Sequence, residues 1–345
     1  MSRPRLRLAL LVILVVGAWL GLRHYEDSWL DTPLSALQQP VVFQLPAGSS
    51  LTAVAASLEK AGWLDRPSIW IRHANRTGGA TRIKAGEYLL QPGTTPASLL
   101  RQFVAGSVLL HTLTIPEGWT FRQALTAIQA HPVIVVEFAG LTQDEVMNRL
   151  GLAGRHPEGL FFPDTYRFAR GTTDRELLQQ AHTRLEEALA SAWRKRRREL
   201  PLRTPYEALI LASIVEKETG APDERPLIAG VFVNRLRIGM RLQTDPSVIY
   251  GLGESFDGNL RRRDLQNDTP YNSYTRAGLP PTPVALVGRA ALEAAVRPAA
   301  TEALYFVATG NGDGRHYFAT SLIAHNSNVA RHLANLRGGS GLQVR

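Results

Sequence analysis

Two hydrophobic periods alternate along this chain. Residues 41–62 (VVFQLPAGSSLTAVAASLEKAG) begin with strand-like alternation and turn at Pro46 and Gly48. They continue at helical spacing, with Leu51, Val54, Ala55 and Leu58 on one face. Ser49 or Ser50 is placed to cap that helix and Gly62 to stop it. A second helix is expected over about 67–76. Residues 83–107 repeat the scheme: a strand, a turn at Pro92-Gly93, a cap at Thr94 or Thr95, and a helix bearing Leu99, Leu100 and Phe103. Two strand–turn–helix units predict a small α+β module over 41–110. From Leu110 the order strand, turn, helix recurs, with helices expected near 121–130, 142–151, 174–200, 205–218 and 223–238. Residues 240–253 pass through Gln243, Thr244 and Asp245 into an expected turn at Pro246. Two aromatic strands around GNGDG predict a hairpin over 303–319, and the closing helix holds His325 and Asn326.

The chain's start stands apart. Arg3, Arg5 and Arg7 precede the uncharged run 8–22, LALLVILVVGAWLGL. Fifteen helical residues at ~1.5 Å rise reach about 22 Å, short of a bilayer core unless flanking side chains snorkel. The run leads into Arg23, His24, Tyr25, Glu26 and Asp27, a poor cleavage site. An uncleaved anchor is therefore expected over 1–25. Its basic tip would face the cytoplasm, and a linker over 26–40 would lead outside.

The 345 residues carry a net charge of +9 and no cysteine, which excludes disulfides and thiol catalysis. A basic chain suits a polyanion, but an external location removes nucleic acid from the candidates. The RKRRR run at 194–198 falls at the end of a charged helix pattern and reads first as a solvated helix end. No metal spacing is present: the nine histidines include neither H-x-x-x-H nor H-E-x-x-H. No phosphate-loop pattern occurs either. Ser213 and Lys217 stand at i, i+4, but mid-helix, without an oxyanion loop.

The chemistry concentrates in four stretches. EGLFFPDTYRF (158–168) opens on Glu158 and is dense in aromatics around Asp164; it is either a tether in the core or the lining of a sugar cleft. The loop TPYNSYTRAGLPPTPV (269–284) is long and polar-aromatic, which favours function over packing. In the helix 205–218, Thr204, Pro205 and Glu207 form a capping-box start. Glu216 and Glu218 close it, about 200° apart on the helical wheel. Glu218 follows Leu211, Ile214 and Val215; Glu216 shares a side with Leu209, Ala212 and Ser213. A carboxyl at the end of a buried stripe, beside a helix C-terminus, has its pKa raised toward what a general acid needs. The competing reading pairs Glu218 with an arginine such as Arg225 at the surface.

Together, SIVEKET (213–219), FVNRLRIGMRLQTDPSVIYG (232–251), YNSYTRAGLPPTPV (271–284) and EGLFFPDTYRF closely resemble the MltG (YceG-like) family of endolytic murein transglycosylases. Residues 41–110 resemble LysM-like folds. The resemblance implies an α+β protein with an N-terminal transmembrane helix, a LysM-like module (41–110) and a mixed α+β catalytic domain (111–345). It implies a single-pass protein of the inner membrane with its catalytic domain in the periplasm. Cleavage is expected at the β-1,4 bond between N-acetylmuramic acid and N-acetylglucosamine of peptidoglycan strands, leaving a 1,6-anhydro end. No cofactor is implied, and peptidoglycan synthases are implied as partners. The family's catalytic Glu falls on Glu218, while Gln243, Asp245, Asn272, Tyr274 and Asp164 are expected in the cleft by motif position. A hydrolase of the same bond would need a second carboxylate, for which Asp245 and Asp164 are the candidates. A non-catalytic glycan-binding scaffold is the remaining alternative.

Overall fold

The computed structural model describes residues 3–339. The chain divides into two compact units: one runs up to His111 and includes Arg167–Gly171, and the other holds Thr112–Tyr166 and the chain from Thr172 onward.

The first unit begins with helix α1 (Arg3–Leu30), followed by β1 (Val41–Leu45), α2 (Leu51–Lys60), α3 (Pro67–Arg76), β2 (Gly86–Leu90) and α4 (Pro96–Ala105). β1 and β2 pair antiparallel, with Val41 opposite Leu90 and Leu45 opposite Gly86. The Ser50 hydroxyl accepts the Ala53 N–H at 3.2 Å and the Thr95 hydroxyl that of Ser98 at 3.1 Å, so Ser50 and Thr95 are the caps of α2 and α4. The expected face Leu51, Val54, Ala55 and Leu58 is buried, in one core with Trp70, Tyr88 and Phe103. The two polar tips in that core are satisfied. The Trp70 indole donates to the Pro96 carbonyl at 2.9 Å and the Tyr88 hydroxyl to that of Lys84 at 2.6 Å.

The apolar side chains of α1 between Leu10 and Leu22 are exposed. Among the described residues no helix is long and apolar enough to cross a membrane. The uncharged run ends at Leu22, and the same helix continues through Arg23, Glu26 and Asp27. The expected span is therefore not found there, and Met1 and Ser2 of the expected basic tip lie outside the described residues.

β3 (Leu110–Thr114) pairs with β4 (Thr165–Ala169), and α5 (Phe121–Gln129) and α6 (Gln143–Arg149) lie between them in sequence. The second unit continues with α7 (Asp174–Arg194), α8 (Pro205–Glu218), α9 (Arg225–Arg237), α10 (Asp245–Leu252), a 3-10 turn (Gly253–Ser255), α11 (Arg262–Gln266) and α12 (Arg289–Val296). The hairpin β5 (Tyr305–Ala308) and β6 (His316–Ala319) follows, antiparallel as the pattern predicts, and then α13 (Leu322–Gly339).

At the centre is α8. α7, α9 and α12 pack around it, and every residue from 208 to 216 is buried. There is consequently no single apolar stripe leading to Glu218, as the helical wheel had it; the helix is enclosed on all sides up to Glu216. Its start is a variant of the expected cap. The Thr204 hydroxyl accepts the Glu207 N–H at 3.1 Å, but the Glu207 carboxylate accepts from Arg203 N at 2.6 Å rather than from Thr204.

Three boundaries differ from expectation, each for a local reason. α9 starts at Arg225 behind Glu224, because the Asp223 carboxylate is drawn to Arg315 at 2.8 Å instead of capping. The stretch after Gln243 is a helix, not a turn, because Pro246 in its first turn supplies a helical φ. α7 ends at Arg194, so most of the RKRRR run lies beyond it, where Arg197 N donates to the Val296 carbonyl at 3.0 Å.

Candidate active site

Glu218 is the last residue of α8, and its neighbour Thr219 leaves the helix with extended φ and ψ. The carboxyl is half-buried and opens into a cleft of about 510 Å³. Gln243, Asp245 and Tyr274 line the same cleft, so four of the six expected site residues come together. Arg235, from the last turn of α9, Tyr305–Val307 of β5, and Leu322, His325 and Asn326 of α13 complete it.

Around Glu218 the polar contacts are specific. The Thr244 hydroxyl donates to a Glu218 carboxyl oxygen. The Tyr274 hydroxyl donates to Asp245 Oδ1 at 2.6 Å. Arg235 is buried, its Nε donating to the Leu304 carbonyl at 2.6 Å and a terminal nitrogen to that of Leu242 at 2.5 Å. Burial pushes the Glu218 pKa up to about 7; the Asp245 charge adds to the rise, while the Thr244 hydrogen bond and the Arg235 charge oppose it. Burial likewise raises the Tyr274 phenol, helped by its bond to Asp245, so Tyr274 stays a neutral donor. The arrangement sets a proton-bearing carboxyl beside a buried cation and a phenol-bound aspartate. Those are the parts of a general acid–base centre.

Gln243 has φ +49, the one non-glycine residue with positive φ among the described residues. Such a conformation costs about 1–3 kcal/mol and persists where the surroundings over-determine it. Here Gln243 N donates to the Ser273 carbonyl at 3.1 Å, Thr244 N to Ser273 Oγ at 2.9 Å, and Ser273 Oγ back to the Thr244 carbonyl at 3.1 Å. These bonds hold Gln243, Thr244 and Asp245 in place against the 269–284 loop.

The remaining expected residues lie elsewhere. The buried Asn272 amide donates to three carbonyls, of Asp264, Leu265 and Asn267, and its oxygen accepts Tyr274 N at 2.9 Å. It shapes the loop that presents Tyr274 and does not line the cleft. Asp164 is ion-paired with Arg184 and borders a separate hollow beside Phe162 and Arg289. Its aromatic neighbours Phe161, Phe162 and Tyr166 are core residues, so that stretch is a tether. Glu216 is buried, accepts the Gly288 N–H at 2.9 Å and pairs with Arg225 at 3.1 Å; the arginine considered for Glu218 belongs to Glu216. Ser213 is spent on structure, donating to the Ile210 carbonyl and accepting Val284 N. Among the described residues no group of three or more His, Cys, Asp or Glu could hold a metal ion.

Thr244, His325 and Asn326 stood out in the sequence only as polar residues of a turn and a closing helix; nothing in the sequence placed them at the Glu218 site. Arg235 lies within the FVNRLRIGMRLQTDPSVIYG stretch but was not among the expected site residues.

Comparison with known proteins agrees with the motif order. A crystal structure of a YceG-like protein from Listeria monocytogenes superposes with a TM-score of 0.53 at 29% identity, covering 84% of this chain and 99% of that one. A protein named endolytic murein transglycosylase from Streptococcus pneumoniae serotype 2 (strain D39) is 31% identical over 94% of this chain, which spans 64% of that relative's length. Its namesake from Bacillus subtilis (strain 168) is 29% identical over 94% of this chain and 92% of its own. The model of the YceG-like family matches residues 43–331, a range that takes in much of each unit and every residue of the Glu218 cleft. This chain belongs to the YceG-like family.

Proposed function

We propose that this protein is an endolytic transglycosylase of peptidoglycan, the activity for which its relatives are named. The observation that carries the reading is the Glu218 carboxyl, held in its cleft with a pKa of about 7. Protonated Glu218 gives its proton to the glycosidic oxygen as positive charge develops at the muramic C1. The resulting carboxylate takes the proton of the muramic C6 hydroxyl, which attacks C1 and closes the 1,6-anhydro ring without water. Asp245, with Tyr274 bound to it, lies where it can offset charge at the reacting carbon. Gln243 and Tyr274 orient the sugars.

Asp245 in the same cleft also favours a second reading, hydrolysis of the same bond with two carboxyls. Product mass separates the two, since the anhydro end is lighter by one water. Purified strands digested with the full chain and analysed by mass spectrometry should yield anhydro ends. Glu218→Gln should lower turnover by about 10²–10⁴-fold, the usual contribution of a general acid. Cleavage at the parent rate in that variant would sink the assignment.

The same reading places the protein at the outer face of the inner membrane. The exposed apolar run 10–22 of α1 would be held in the bilayer with its flanking residues, and the β1–α4 module would serve as a LysM-like glycan contact. Trimming or terminating nascent strands beside peptidoglycan synthases is the role that fits this location. Fractionation of cells carrying the full chain, against a chain lacking 1–25, tests it; recovery of both in the soluble fraction would remove the anchor.

A further inference from the structure

A second hollow, of about 660 Å³, opens on the unit that holds Glu218. It is lined from the same two helix ends as the Glu218 cleft, by the residues next in sequence. Lys217 precedes Glu218 on α8, and Pro246 follows Asp245 on α10, with Ile249 and Tyr250 further along. One residue step turns a helix by about 100°, so the two hollows lie around the corner from each other at these helix ends.

The walls of this hollow are aromatic and fixed. The Tyr250 and Tyr271 rings meet edge to face at 5.0 Å, and the Tyr271 hydroxyl is bonded to that of Thr282 at 2.8 Å. Phe256 adds a third ring. The charges are unequal. Arg122 is paired with Glu254, while the Lys217 ammonium meets only the Gly118 carbonyl, at 3.2 Å; no carboxylate pairs with it among the described residues. The one carboxyl in the lining, Glu158, is buried and accepts the Phe121 N–H at 2.9 Å, and burial holds its pKa up at about 7.

We propose that this hollow receives the carboxylate-bearing peptide branch of the strand cleaved at Glu218, with the branch carboxylate on Lys217 and its apolar part on the Tyr250, Tyr271 and Phe256 rings. The proposal rests on the reading of the Glu218 cleft as a peptidoglycan site. In a peptide-bearing strand the muramic lactyl carboxyl is tied up as an amide, so the sugars themselves are neutral and the negative charge sits on the peptide branch. The muramic sugar, however, carries both the scissile C1 and the peptide, so the branch must leave from beside Glu218. A hollow lined by the next residues of the same two helices is where it can go.

The test titrates the full chain carrying Glu218→Gln, which suppresses turnover, with two soluble probes: a muramic tetrasaccharide bearing its peptides, and the same sugar with each peptide replaced by a methylamide on the lactyl carboxyl. The peptide-bearing probe should bind about tenfold more tightly, the scale of one charge-assisted pair. Adding Lys217→Met should bring the ratio of the two affinities toward one, and Phe256→Ala should reduce it by an independent route. Equal affinities in the parent, or a ratio that neither variant changes, would overturn the proposal. Wild-type cleavage distinguishes the two levels. Digestion of lactyl-amidated and peptide-bearing strands with equal preference removes this inference and leaves the transglycosylase reading; digestion of neither removes both.

Discussion

Glu216 and Glu218 are the same side chain two positions apart, and the fold gives them opposite work. Glu216 is sealed in, so burial raises its pKa, but the Gly288 N–H and Arg225 oppose that rise and bind the side chain into the structure. The Glu218 pKa is raised to about 7 chiefly by burial, with the neighbouring Asp245 adding to the rise and the single Thr244 hydroxyl donor opposing it. The opposing influences on Glu218 predict opposite shifts in the alkaline limb of kcat/KM, where a general acid is lost by ionisation. Thr244→Val removes a bond to the carboxylate, so the limb should move to higher pH. Asp245→Asn removes a repelling charge, so the limb should move to lower pH. Profiles measured on one soluble strand check both. Movement in the same direction, or none, would mean that Glu218 is not the ionisation governing the limb.

Elements set these residues in place through close packing, and α9 shows how tight it is. Gly230 sits mid-helix where a Cβ would lie 2.8 Å from the Ala299 carbonyl oxygen and 2.8 Å from the Thr301 methyl. Alanine is the better helix former by about 1 kcal/mol. Overpacking by about 1–3 kcal/mol should nevertheless win. Gly230→Ala should therefore lower the denaturation midpoint; a rise would show that the 299–301 segment yields. Such packing is invisible in a linear pattern, and the misread elements share that origin. The caps of α2 and α4, the hairpin and the extent of α8 depend on neighbours in sequence, and all were legible. The burial of α8 on every side, the diversion of Asp223 to Arg315 and the separation of Asp164 from the cleft depend on distant partners. Within the site the same division holds. Glu218, Gln243, Asp245 and Tyr274 came from contiguous motifs, whereas Thr244 and the β5 and α13 walls needed the fold.

Across the whole molecule, ionisation couples stability to pH through Glu158 as well as the active site. Its pKa rises from 4.5 to about 7 on folding, chiefly by burial. A carboxyl that holds its proton more tightly when folded stabilises the native state fully below pH 4.5. That contribution is lost as pH rises through 7, with about 3 kcal/mol at stake. Glu158→Gln keeps an oxygen for the Phe121 N–H and removes the ionisation. Thermal midpoints at pH 5 and pH 8 should therefore differ less in the variant than in the wild type, and equal differences would refute the coupling. The cleft has a further consequence at this scale. Its carboxyl is made with α8, but Tyr305–Val307 and the first turn of α13 come much later in the chain, as does the Leu304 carbonyl that holds Arg235. During biosynthesis, a polypeptide extruded only as far as α12 bears Glu218 without these later walls of its cleft. Under the proposed function, a centre so divided would be incomplete on the ribosome and would become competent only when the last elements have docked.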